Sequence, residues 1–456
     1  MSGAAPFLPF EGRRVAVVGL GKAGLPAALR LREWGAEVIA WDDAEPRRAE
    51  AAAAGLSVRD VGAEAFPYDA LLLSPGIPHR LPKPHPAAAR AAAAKAPVLC
   101  DVEFLLLALR ASGSKAKVVG ITGTNGKSTT TALLHHLLAA AGRPAEVGGN
   151  LGPAALSLPL IAEGTMVLEM SSYSLDRLET GRFDMAAMLN LSPDHLDRHG
   201  GFEGYVATKA RIFRGVEVSV LGMDDTASRS LEPWTQGRLV RISGQRRQRH
   251  GVWAEAGLLQ DEAGPILDLA GAPALAGEHN AQNAAAAVAL ALALGLSREE
   301  AAAGLRSFPG LPHRQERVGE AGGVLWINDS KATNADSTRW ALATWPKVVW
   351  IAGGVPKEGG IEPLVPLFGH VAKAVLIGRC APDFAATLDA AGVANETVGT
   401  LAAAVPAALA AARQAGAPVV LLSPSAASFD QFTGFEARGD AFRALVRSLP
   451  DQGEAG

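Results

Sequence analysis

The stretch Gly120-Ile-Thr-Gly-Thr-Asn-Gly-Lys-Ser-Thr129 decides the fold. It follows the apolar run Val118–Ile121 and precedes a stretch of helical composition through Leu133–Leu138. A glycine-rich turn between a strand and a helix directs backbone N–H groups and the helix N-terminus at one point, which is how many proteins bind phosphate. The sequence therefore predicts a nucleotide-phosphate loop, with Lys127 at the terminal phosphates and the Ser128 hydroxyl on magnesium.

The glycines of this loop do not follow the general phosphate-loop pattern. That pattern requires a glycine at position 121, where the chain has Ile121, and the glycines fall at positions 120, 123 and 126 instead. A plain turn between a strand and a helix is therefore an alternative to a phosphate site.

Apolar runs and glycine-rich turns alternate on both sides of the loop. The runs expected to form strands are Val15–Val18, Glu37–Ala40, Ala70–Leu73, Val118–Ile121, Met166–Glu169, Met188–Leu191, Val324–Ile327, Val348–Ala352, Ala374–Ile377 and Val419–Leu422. Alanine-rich stretches between them have helical composition, and residues 239–270 indicate a β meander. Strands that alternate with helices are typical of parallel α/β sheets. We predict three α/β domains, at residues 1–112, 113–310 and 311–456.

The bulk composition excludes several classes of protein. With 456 residues, 48% hydrophobic content and a net charge of −3, the chain has no surplus charge for nucleic acid or anionic lipid. Its two cysteines, Cys100 and Cys380, form no disulfide framework or zinc motif. The N-terminal segment lacks a signal-peptide pattern, and the apolar stretch Ala284–Leu296 is too short to span a bilayer. We expect a cytoplasmic monomer that acts on small molecules.

Two further segments place ionisable side chains after apolar runs. Glu169 ends one run, and an acidic residue at a strand end near a phosphate loop typically holds magnesium. A solvated glutamate is the alternative. His195 lies between two aspartates in Asn190-Leu-Ser-Pro-Asp-His-Leu-Asp-Arg-His199, which favours a metal ligand or an acid–base group over a structural histidine.

The first block carries a motif that fits a different function. Gly19-x-Gly21-x-x-Gly24 follows an apolar run, and Asp42 comes about twenty residues later, which fits a dinucleotide-binding fingerprint. An NAD-dependent oxidoreductase is therefore one rival hypothesis. A nucleotide switch or transport ATPase subunit, built on the phosphate loop alone, is another.

The phosphate loop and the histidine segment together resemble the Mur ligase family. GITGTNGKSTT, at residues 120–130, has the glycine spacing of that family and of the related folylpolyglutamate synthases, and MLNLSPDHLDRHG, at 188–200, resembles a second Mur element. The resemblance extends from about Val15 to Phe442, whereas a folylpolyglutamate synthase should lack the first block. It implies a Rossmann-like N-terminal domain, a central P-loop ATPase-type domain and a Rossmann-like C-terminal domain. It also implies an ATP-dependent amide-bond ligase with two magnesium ions.

The same resemblance assigns roles to residues in each block. The ATP site would comprise Gly123, Thr124, Asn125, Gly126, Lys127, Ser128, Thr129, Asn283, Arg314 and Asp329. The metal ligands would be Ser128, Glu169, His195 and a carbamylated Lys209, and the catalytic residues would be Lys127, Glu169, His195 and Lys209. A substrate carrying a uridine diphosphate would contact Lys22, Ala23, Asp42, Ser74, Gly76, Asn150, Ser171 and His195.

Motifs in the third block resemble the branch of the family that adds D-glutamate to UDP-N-acetylmuramoyl-L-alanine through an acyl phosphate, in peptidoglycan synthesis. These motifs are Asn328-Asp-Ser-Lys-Ala-Thr-Asn334 and the segment 422–439, and the Asn-Pro-Arg of the diaminopimelate- and lysine-adding branches does not occur. The implied D-glutamate residues are Lys331, Thr333, Lys357, Ser428, Phe429 and Phe435. The departures from the branch are Val355-Pro356 in the loop before Lys357, Ser174 where glutamine is common, and Ala44 where some relatives have arginine.

Overall fold

The computed structural model describes residues 7–63, 65–275, 277–356 and 359–449. The chain divides into two compact units. Unit 1 comprises Met1–Gly271 and Asn280–Ser307, and unit 2 comprises Ala272–His279 and Phe308–Gly456. The first and second predicted blocks therefore lie in one unit. Residues 272–279 and 308–310, which the predicted central domain included, belong to the other unit.

The first sheet of unit 1 is parallel, with its described strands in the order β3-β2-β1-β4-β5. They are β1 (Arg14–Val18), β2 (Glu37–Trp41), β3 (Ser57–Val58), β4 (Ala70–Leu73) and β5 (Val98–Leu99). The helices are α1 (Gly24–Glu33), α2 (Glu45–Ala53), α3 (Pro86–Ala93) and α4 (Asp101–Ala111). The strand order reverses at β1 and β4, and parallel α/β sheets bind ligands at the carboxyl ends of such a pair.

The second sheet of unit 1 is built around β6, with its described strands in the order β14-β13-β12-β11-β10-β9-β6-β8-β7. They are β6 (Lys117–Thr122), β7 (Ala145–Gly149), β8 (Thr165–Glu169), β9 (Met185–Met188), β10 (Val218–Gly222), β11 (Arg238–Ser243), β12 (Gly251–Glu255), β13 (Leu258–Asp261) and β14 (Gly264–Asp268). The helices are α5 (Lys127–Ala140), α6 (Ser172–Asp176), α7 (Leu196–His199), α8 (Phe202–Ala210), α9 (Thr226–Arg229), α10 (Glu278–Ala293) and α11 (Arg298–Ser307).

Two details of the predicted central block were wrong. The strand predicted at Met188–Leu191 is β9, which ends at Met188. Leu189 and Leu191 are buried beyond the strand end, so their apolar character reflects a buried loop. The β meander is confirmed for β12 to β14, which pair antiparallel, but β11 pairs in parallel with β10 and β12.

Unit 2 contains the third sheet, with its described strands in the order β15-β16-β20-β17-β18-β19. They are β15 (Glu316–Ala321), β16 (Val324–Asn328), β17 (Val348–Gly353), β18 (Val371–Ile377), β19 (Asn395–Gly399) and β20 (Val419–Leu422). The helices are α12 (Ala335–Thr344), α13 (Ala381–Ala390), α14 (Leu401–Ala415) and α15 (Phe435–Arg447). Among these described strands only β15 is antiparallel to its neighbour, so the others share one carboxyl edge.

Apolar faces of both sheets in unit 1 and of the sheet in unit 2 are buried under helices, and the strand cores carry the apolar runs that the sequence predicts. Within the part of the chain that the structure describes, no helix combines the length and apolar character needed to cross a membrane.

Candidate active site

The phosphate loop lies at the carboxyl edge of the central sheet, between β6 and α5. Gly123 and Gly126 have φ values of +158° and +81°, in the left-handed region that favours glycine. A Cβ atom on Gly126 would lie 2.1 Å from Oδ1 of Asn283, so this close approach also requires a glycine. Asn283 is 2% exposed, and its Oδ1 accepts a hydrogen bond from Thr130 at 3.3 Å.

A neighbouring segment holds the loop in place. Oδ1 of Asn190 accepts from the Asn125 N–H at 2.8 Å, and the Asn190 carbonyl accepts from the Thr124 N–H at 2.8 Å. The Asn190 amide also donates to Gln282 at 3.0 Å. Asn190 lies within the histidine motif, but its role could not be predicted from the sequence, because the asparagine acts on the backbone of a loop 65 residues away.

Two lysine side chains converge on the backbone of the phosphate loop. Nζ of Lys127 donates to the carbonyl oxygens of Gly123 and Thr124, at 2.9 and 2.7 Å. Nζ of Lys209 donates to the Thr122 hydroxyl at 3.0 Å and to the Gly123 carbonyl at 2.7 Å. The structure therefore brings two predicted catalytic residues, which are 82 positions apart in the sequence, to the same carbonyl group.

Lys209 is 1% exposed, although composition alone would place a helical lysine on the surface. Its Nζ lies 5.1 Å from the ring centroid of Tyr205, and the Tyr205 hydroxyl is 3.0 Å from the Thr124 hydroxyl. Burial, followed by the nearby charge of Lys127, lowers the pKa of Lys209 well below its ordinary value. The side chain is therefore biased toward the neutral amine.

Glu169 ends β8, next to β6, and is 2% exposed. Its Oε1 accepts a hydrogen bond from Asn150 at 2.6 Å, but its Oε2 is buried without a hydrogen-bond partner in the described structure. A buried carboxylate oxygen that lacks a partner is costly, and a cation beside it would remove that cost. Glu169 thus fits a magnesium ligand better than the solvated glutamate of the alternative hypothesis.

Ser128 is the second residue of α5 and is 6% exposed. Among the residues that the structure describes, no three His, Cys, Asp or Glu side chains group closely enough to hold a metal unaided. Magnesium commonly takes one or two protein oxygens and completes its shell with water and substrate phosphates. A site with Glu169 and the Ser128 hydroxyl fits that pattern.

His195 lies on the segment that runs alongside the phosphate loop. That segment is fixed by two contacts between Thr124 and Ser192, at 3.0 and 3.1 Å. His195 has a φ of +51°, its side chain is 47% exposed, and its ring centroid is 4.9 Å from that of Tyr173. An exposed imidazole at this edge is available to a ligand.

A crevice opens at the carboxyl ends of β1 and β4, where the strand order reverses. It encloses about 470 Å³ and is lined by Gly19, Lys22, Ala23, Asp42, Ser74 and His85, among others. A second cavity of about 140 Å³ shares Lys22, Ala23 and Pro75 with it and adds Asp101, Asn150 and Ser174. Predicted uridine-substrate residues from both sheets of unit 1 therefore line two adjoining cavities.

Ser171 and Gly76 do not line these cavities. Ser171 caps α6, where its hydroxyl accepts from the Ser174 N–H at 3.1 Å and lies 2.9 Å from the Ser174 hydroxyl. Ser174 stands where glutamine is common in the family. It contacts Ser171 at the start of α6 and also lines the smaller cavity. Gly76 is exposed on the segment that follows β4.

In unit 2, Asp329 directly follows β16 and is 7% exposed. Its Oδ1 accepts from the Gln315 N–H at 3.2 Å, and its Oδ2 accepts from the Ser423 hydroxyl at 2.7 Å. Burial raises the pKa of Asp329 to about 7. Arg314, the other predicted ATP residue of unit 2, lies just before β15.

Backbone contacts join the loops that carry the predicted D-glutamate residues. The Ser425 N–H donates to the Ala332 carbonyl at 2.9 Å, and the Gly353 N–H donates to the Pro424 carbonyl at 2.8 Å. Arg438, 1% exposed, donates to the Ser330 carbonyl and to the Ala426 carbonyl, at 2.8 and 3.1 Å. Arg438 lies within the motif at residues 422–439 but was assigned no role, because a buried arginine on an amphipathic helix cannot be told from an exposed one by sequence.

The side chains predicted for D-glutamate differ in their surroundings. Nζ of Lys331 lies 4.8 Å from the ring centroid of Phe435, Ser428 is 2% exposed, and Phe429 is 71% exposed. Asn334, and not Thr333, caps α12, so the alternative role of Thr333 as that helix cap is wrong. Lys357 lies outside the described residues.

Comparisons with known proteins place this geometry in context. Residues 121–291 match the Mur ligase middle domain, and residues 313–426 match the Mur ligase, glutamate ligase domain. Proteins named UDP-N-acetylmuramoylalanine--D-glutamate ligase from Paramagnetospirillum magneticum and Rhizobium meliloti are 49% and 46% identical to this chain. They cover 98% and 97% of it, and 98% of each relative is matched.

Solved structures agree in fold. The UDP-N-acetylmuramate-alanine ligase MurC of Thermotoga maritima aligns over 96% of this chain and 99% of its own, with a TM-score of 0.60 at 19% identity. MurF of Acinetobacter baumannii aligns over 75% of this chain and 80% of its own, with a TM-score of 0.56 at 22% identity. At these identities the likeness concerns the fold alone.

Proposed function

The chain belongs to the Mur ligase family, and from that premise we propose that it joins D-glutamate to UDP-N-acetylmuramoyl-L-alanine in peptidoglycan synthesis. ATP would be consumed, with release of ADP and phosphate. The observation that carries the proposal is a match to D-glutamate ligases over nearly the whole chain, at close to half of all positions. The reaction needs a phosphate loop, a cation site and a crevice for a nucleotide sugar, and unit 1 contains a candidate for each.

ATP would bind at the phosphate loop. The N–H groups in the first turn of α5 would donate to its phosphates, and Lys127 would turn from the loop carbonyls toward the terminal phosphates. Asn283 packs against Gly126, so its side-chain amide lies at the point where the loop ends and α5 begins. Arg314 and Asp329, both in unit 2, remain predictions of the family resemblance.

Glu169 and Ser128 would hold one magnesium ion, because the unpartnered Oε2 and the hydroxyl provide hard oxygen ligands. His195 and Lys209 would serve a second ion. Bound magnesium would supply neutralisation of the charge on the transferring phosphoryl oxygens.

Lys209 would serve the second ion as a carbamate. Its amine adds to the carbon of carbon dioxide and loses a proton, which leaves a carbamate anion. Only the neutral amine has the lone pair for this addition, and the lowered pKa of Lys209 favours that form. The product would place a negative charge beside the phosphate loop, where the second cation would bind.

The chemistry proceeds in two substitutions. A carboxylate oxygen of the L-alanine residue attacks the γ-phosphorus, the bond to the bridging oxygen breaks, and ADP leaves with that oxygen. The amine of D-glutamate then attacks the acyl carbon and loses a proton, and phosphate leaves. Lys127 and the loop N–H groups would stabilise charge that develops on the phosphoryl oxygens.

The choice of D-glutamate would come from unit 2. Its two carboxylates require cations and hydroxyl donors, which Lys331, Thr333, Lys357 and Ser428 would supply, while Phe429 and Phe435 would border the pocket. Anchoring both carboxylates fixes the direction of the amine, so the L isomer would direct its amine away from the acyl phosphate.

A coupled ADP-release assay tests the proposal. The purified protein is given ATP, magnesium and UDP-N-acetylmuramoyl-L-alanine with D-glutamate, L-glutamate, meso-diaminopimelate or L-lysine. ADP release that requires both the uridine substrate and D-glutamate is expected. Equal turnover of L-glutamate, or release without the uridine substrate, would contradict it, and reduction of an added dinucleotide would favour the oxidoreductase hypothesis.

A further inference from the structure

The segment Leu73–Ile77 forms one wall of the crevice in the first sheet. It contains two predicted substrate residues, Ser74 and Gly76. The Ser74 hydroxyl donates to the Gly19 carbonyl at 2.6 Å, and a Cβ atom on Gly19 would lie 2.6 Å from the Cδ1 atom of Ile77. The segment is therefore packed tightly against the glycine loop, and its position sets the shape of the crevice.

All five carbonyl groups of the segment accept hydrogen bonds from two arginines of the second sheet's block. Nη1 of Arg177 donates to the carbonyls of residues 73 and 74, at 2.6 and 2.9 Å. Its Nη2 donates to those of residues 75 and 77, at 3.2 and 2.6 Å. Nη1 of Arg198 donates to the Gly76 carbonyl at 3.0 Å.

Arg177 is a buried cation held by neutral groups. It is 1% exposed, and the adjacent Asp176 lies within ion-pair distance of Arg211, at 3.9 Å. Burial lowers the pKa of Arg177 to about 10, so the guanidinium stays protonated at neutral pH. Its planar fork of donors satisfies four carbonyls, which the single ammonium of a lysine cannot do.

Both arginines lie a few residues after a candidate magnesium residue in the chain. Arg177 follows α6, which begins three residues after Glu169. Arg198 lies in α7, whose first turn follows His195, and its guanidinium is 4.5 Å from the ring centroid of Tyr173. The five hydrogen bonds thus connect the crevice wall to the segments that follow Glu169 and His195.

We propose that Arg177 and Arg198 are positioning residues for the uridine substrate. By fixing every peptide plane of Leu73–Ile77, they hold the crevice wall in register with the elements that carry Glu169 and His195. Because the Pro75 carbonyl accepts from Arg177, the trans peptide directs the Gly76 N–H away from that guanidinium. The inference rests on the proposed function, since it assigns the crevice to that substrate.

The variants Arg177→Lys and Arg198→Gln test the inference, with Arg30→Gln as the matched control. Nε of Arg30 also donates to a carbonyl of the second block, that of Leu156 at 3.1 Å, but it does not touch the 73–77 segment. For each variant, calorimetry measures the affinity for UDP-N-acetylmuramoyl-L-alanine without ATP, and steady-state assays give the KM for all three substrates. A thermal melt monitors folding.

Arg177→Lys should weaken binding of the uridine substrate and raise its KM by roughly 10- to 100-fold, with the KM for ATP within about twofold of native. Arg198→Gln should give a rise of roughly 3- to 10-fold, because one contact is lost. Arg30→Gln should match the native protein. The inference would be overturned if both Arg177→Lys and Arg198→Gln bound the uridine substrate with native affinity. It would also be overturned by an equal rise in all three KM values together with a lower melting temperature.

Two measurements keep this inference separate from the proposed function. If Arg177→Lys does not fold, the uridine-substrate KM of Arg198→Gln decides the question. If the native protein binds the uridine substrate but shows no ADP release with D-glutamate, the proposed function fails, and the calorimetric comparison of the variants still tests the two arginines.

Discussion

Two sheet edges, one in each unit, carry a buried acid at the end of a parallel strand. Glu169 closes β8 in unit 1, and Asp329 directly follows β16 in unit 2, with exposures of 2% and 7%. The acids differ in how they are satisfied. Asp329 has a partner for each carboxylate oxygen, whereas Oε2 of Glu169 is buried and unpartnered in the described structure. The protein itself supplies partners for both oxygens of Asp329 but for only one oxygen of Glu169 in the described structure.

The buried basic side chains of the two edges, Lys209 and Arg438, also differ. Lys209 has a pKa lowered well below its ordinary value by burial, so it can lose its proton and react as an amine. Arg438 stays protonated at neutral pH, because its pKa is lowered only to about 10, and its donors hold Ser330 and Ala426. The buried lysine of the first edge can therefore change its charge, which suits catalysis, whereas the buried arginine of the second edge keeps its charge, which suits the shaping of a pocket.

Removing the loop lysine should have the largest effect on turnover. Lys127→Ala deletes the ammonium that would meet the phosphoryl charge, and ADP release should fall by about two to four orders of magnitude. The melting temperature should stay near native, because Nζ donates to carbonyl groups of its own loop. The matched control is Lys115→Ala, an exposed lysine of the same unit. Near-native turnover in Lys127→Ala would show that the first edge is not catalytic.

Removing Lys209 should cause the next largest loss of turnover, because its proposed role depends on carbamylation. Lys209→Met keeps the length of the stem but cannot be carbamylated, and its turnover should fall by about two to three orders of magnitude. Native activity should decline when bicarbonate is removed and recover when it returns. Native-like turnover in the methionine variant would leave the lysine a structural role only.

Glu169→Gln tests the unpartnered oxygen. The amide keeps an acceptor for the Asn150 side chain but loses the charge, so the magnesium concentration needed for half-maximal turnover should rise roughly 10- to 100-fold. Thermal stability without magnesium should not fall, because a buried charge is removed. An unchanged magnesium requirement would contradict the assignment of Glu169 as a metal ligand.

Asp329→Asn should have the smallest effect, visible as a pH dependence of stability. The pKa of Asp329 is raised from 3.8 to about 7 in the folded chain, so its favourable contribution is complete below pH 3.8 and is lost as the pH rises to about 7. The asparagine variant has no carboxyl group to ionise, so it does not lose stability in this way. Its melting temperature relative to native should therefore increase between about pH 4 and 7, by a few degrees. Parallel melting curves across that window would exclude an elevated pKa.

Much of the fold follows from local patterns. The apolar runs that became β1, β2, β4, β6, β8, β16, β17, β18 and β20 were predicted, because a buried parallel strand needs a continuous apolar segment whatever lies beside it. The same reasoning failed at Met188–Leu191, where an apolar run continues past the strand end into a buried loop. Periodicity cannot distinguish a buried loop from a buried strand, since both are apolar.

The sequence by itself determined the phosphate loop, because glycines at 123 and 126 and the following helix specify a local backbone geometry. Only the tertiary structure decided the electrostatics of the site. Three features depend on segments far apart in the chain: the burial of Lys209, the unpartnered oxygen of Glu169, and the hydrogen bonds from Arg177 to the segment Leu73–Ile77. Charge burial is a property of the packed environment, and a pKa or a missing partner therefore exists only once the sheets have assembled.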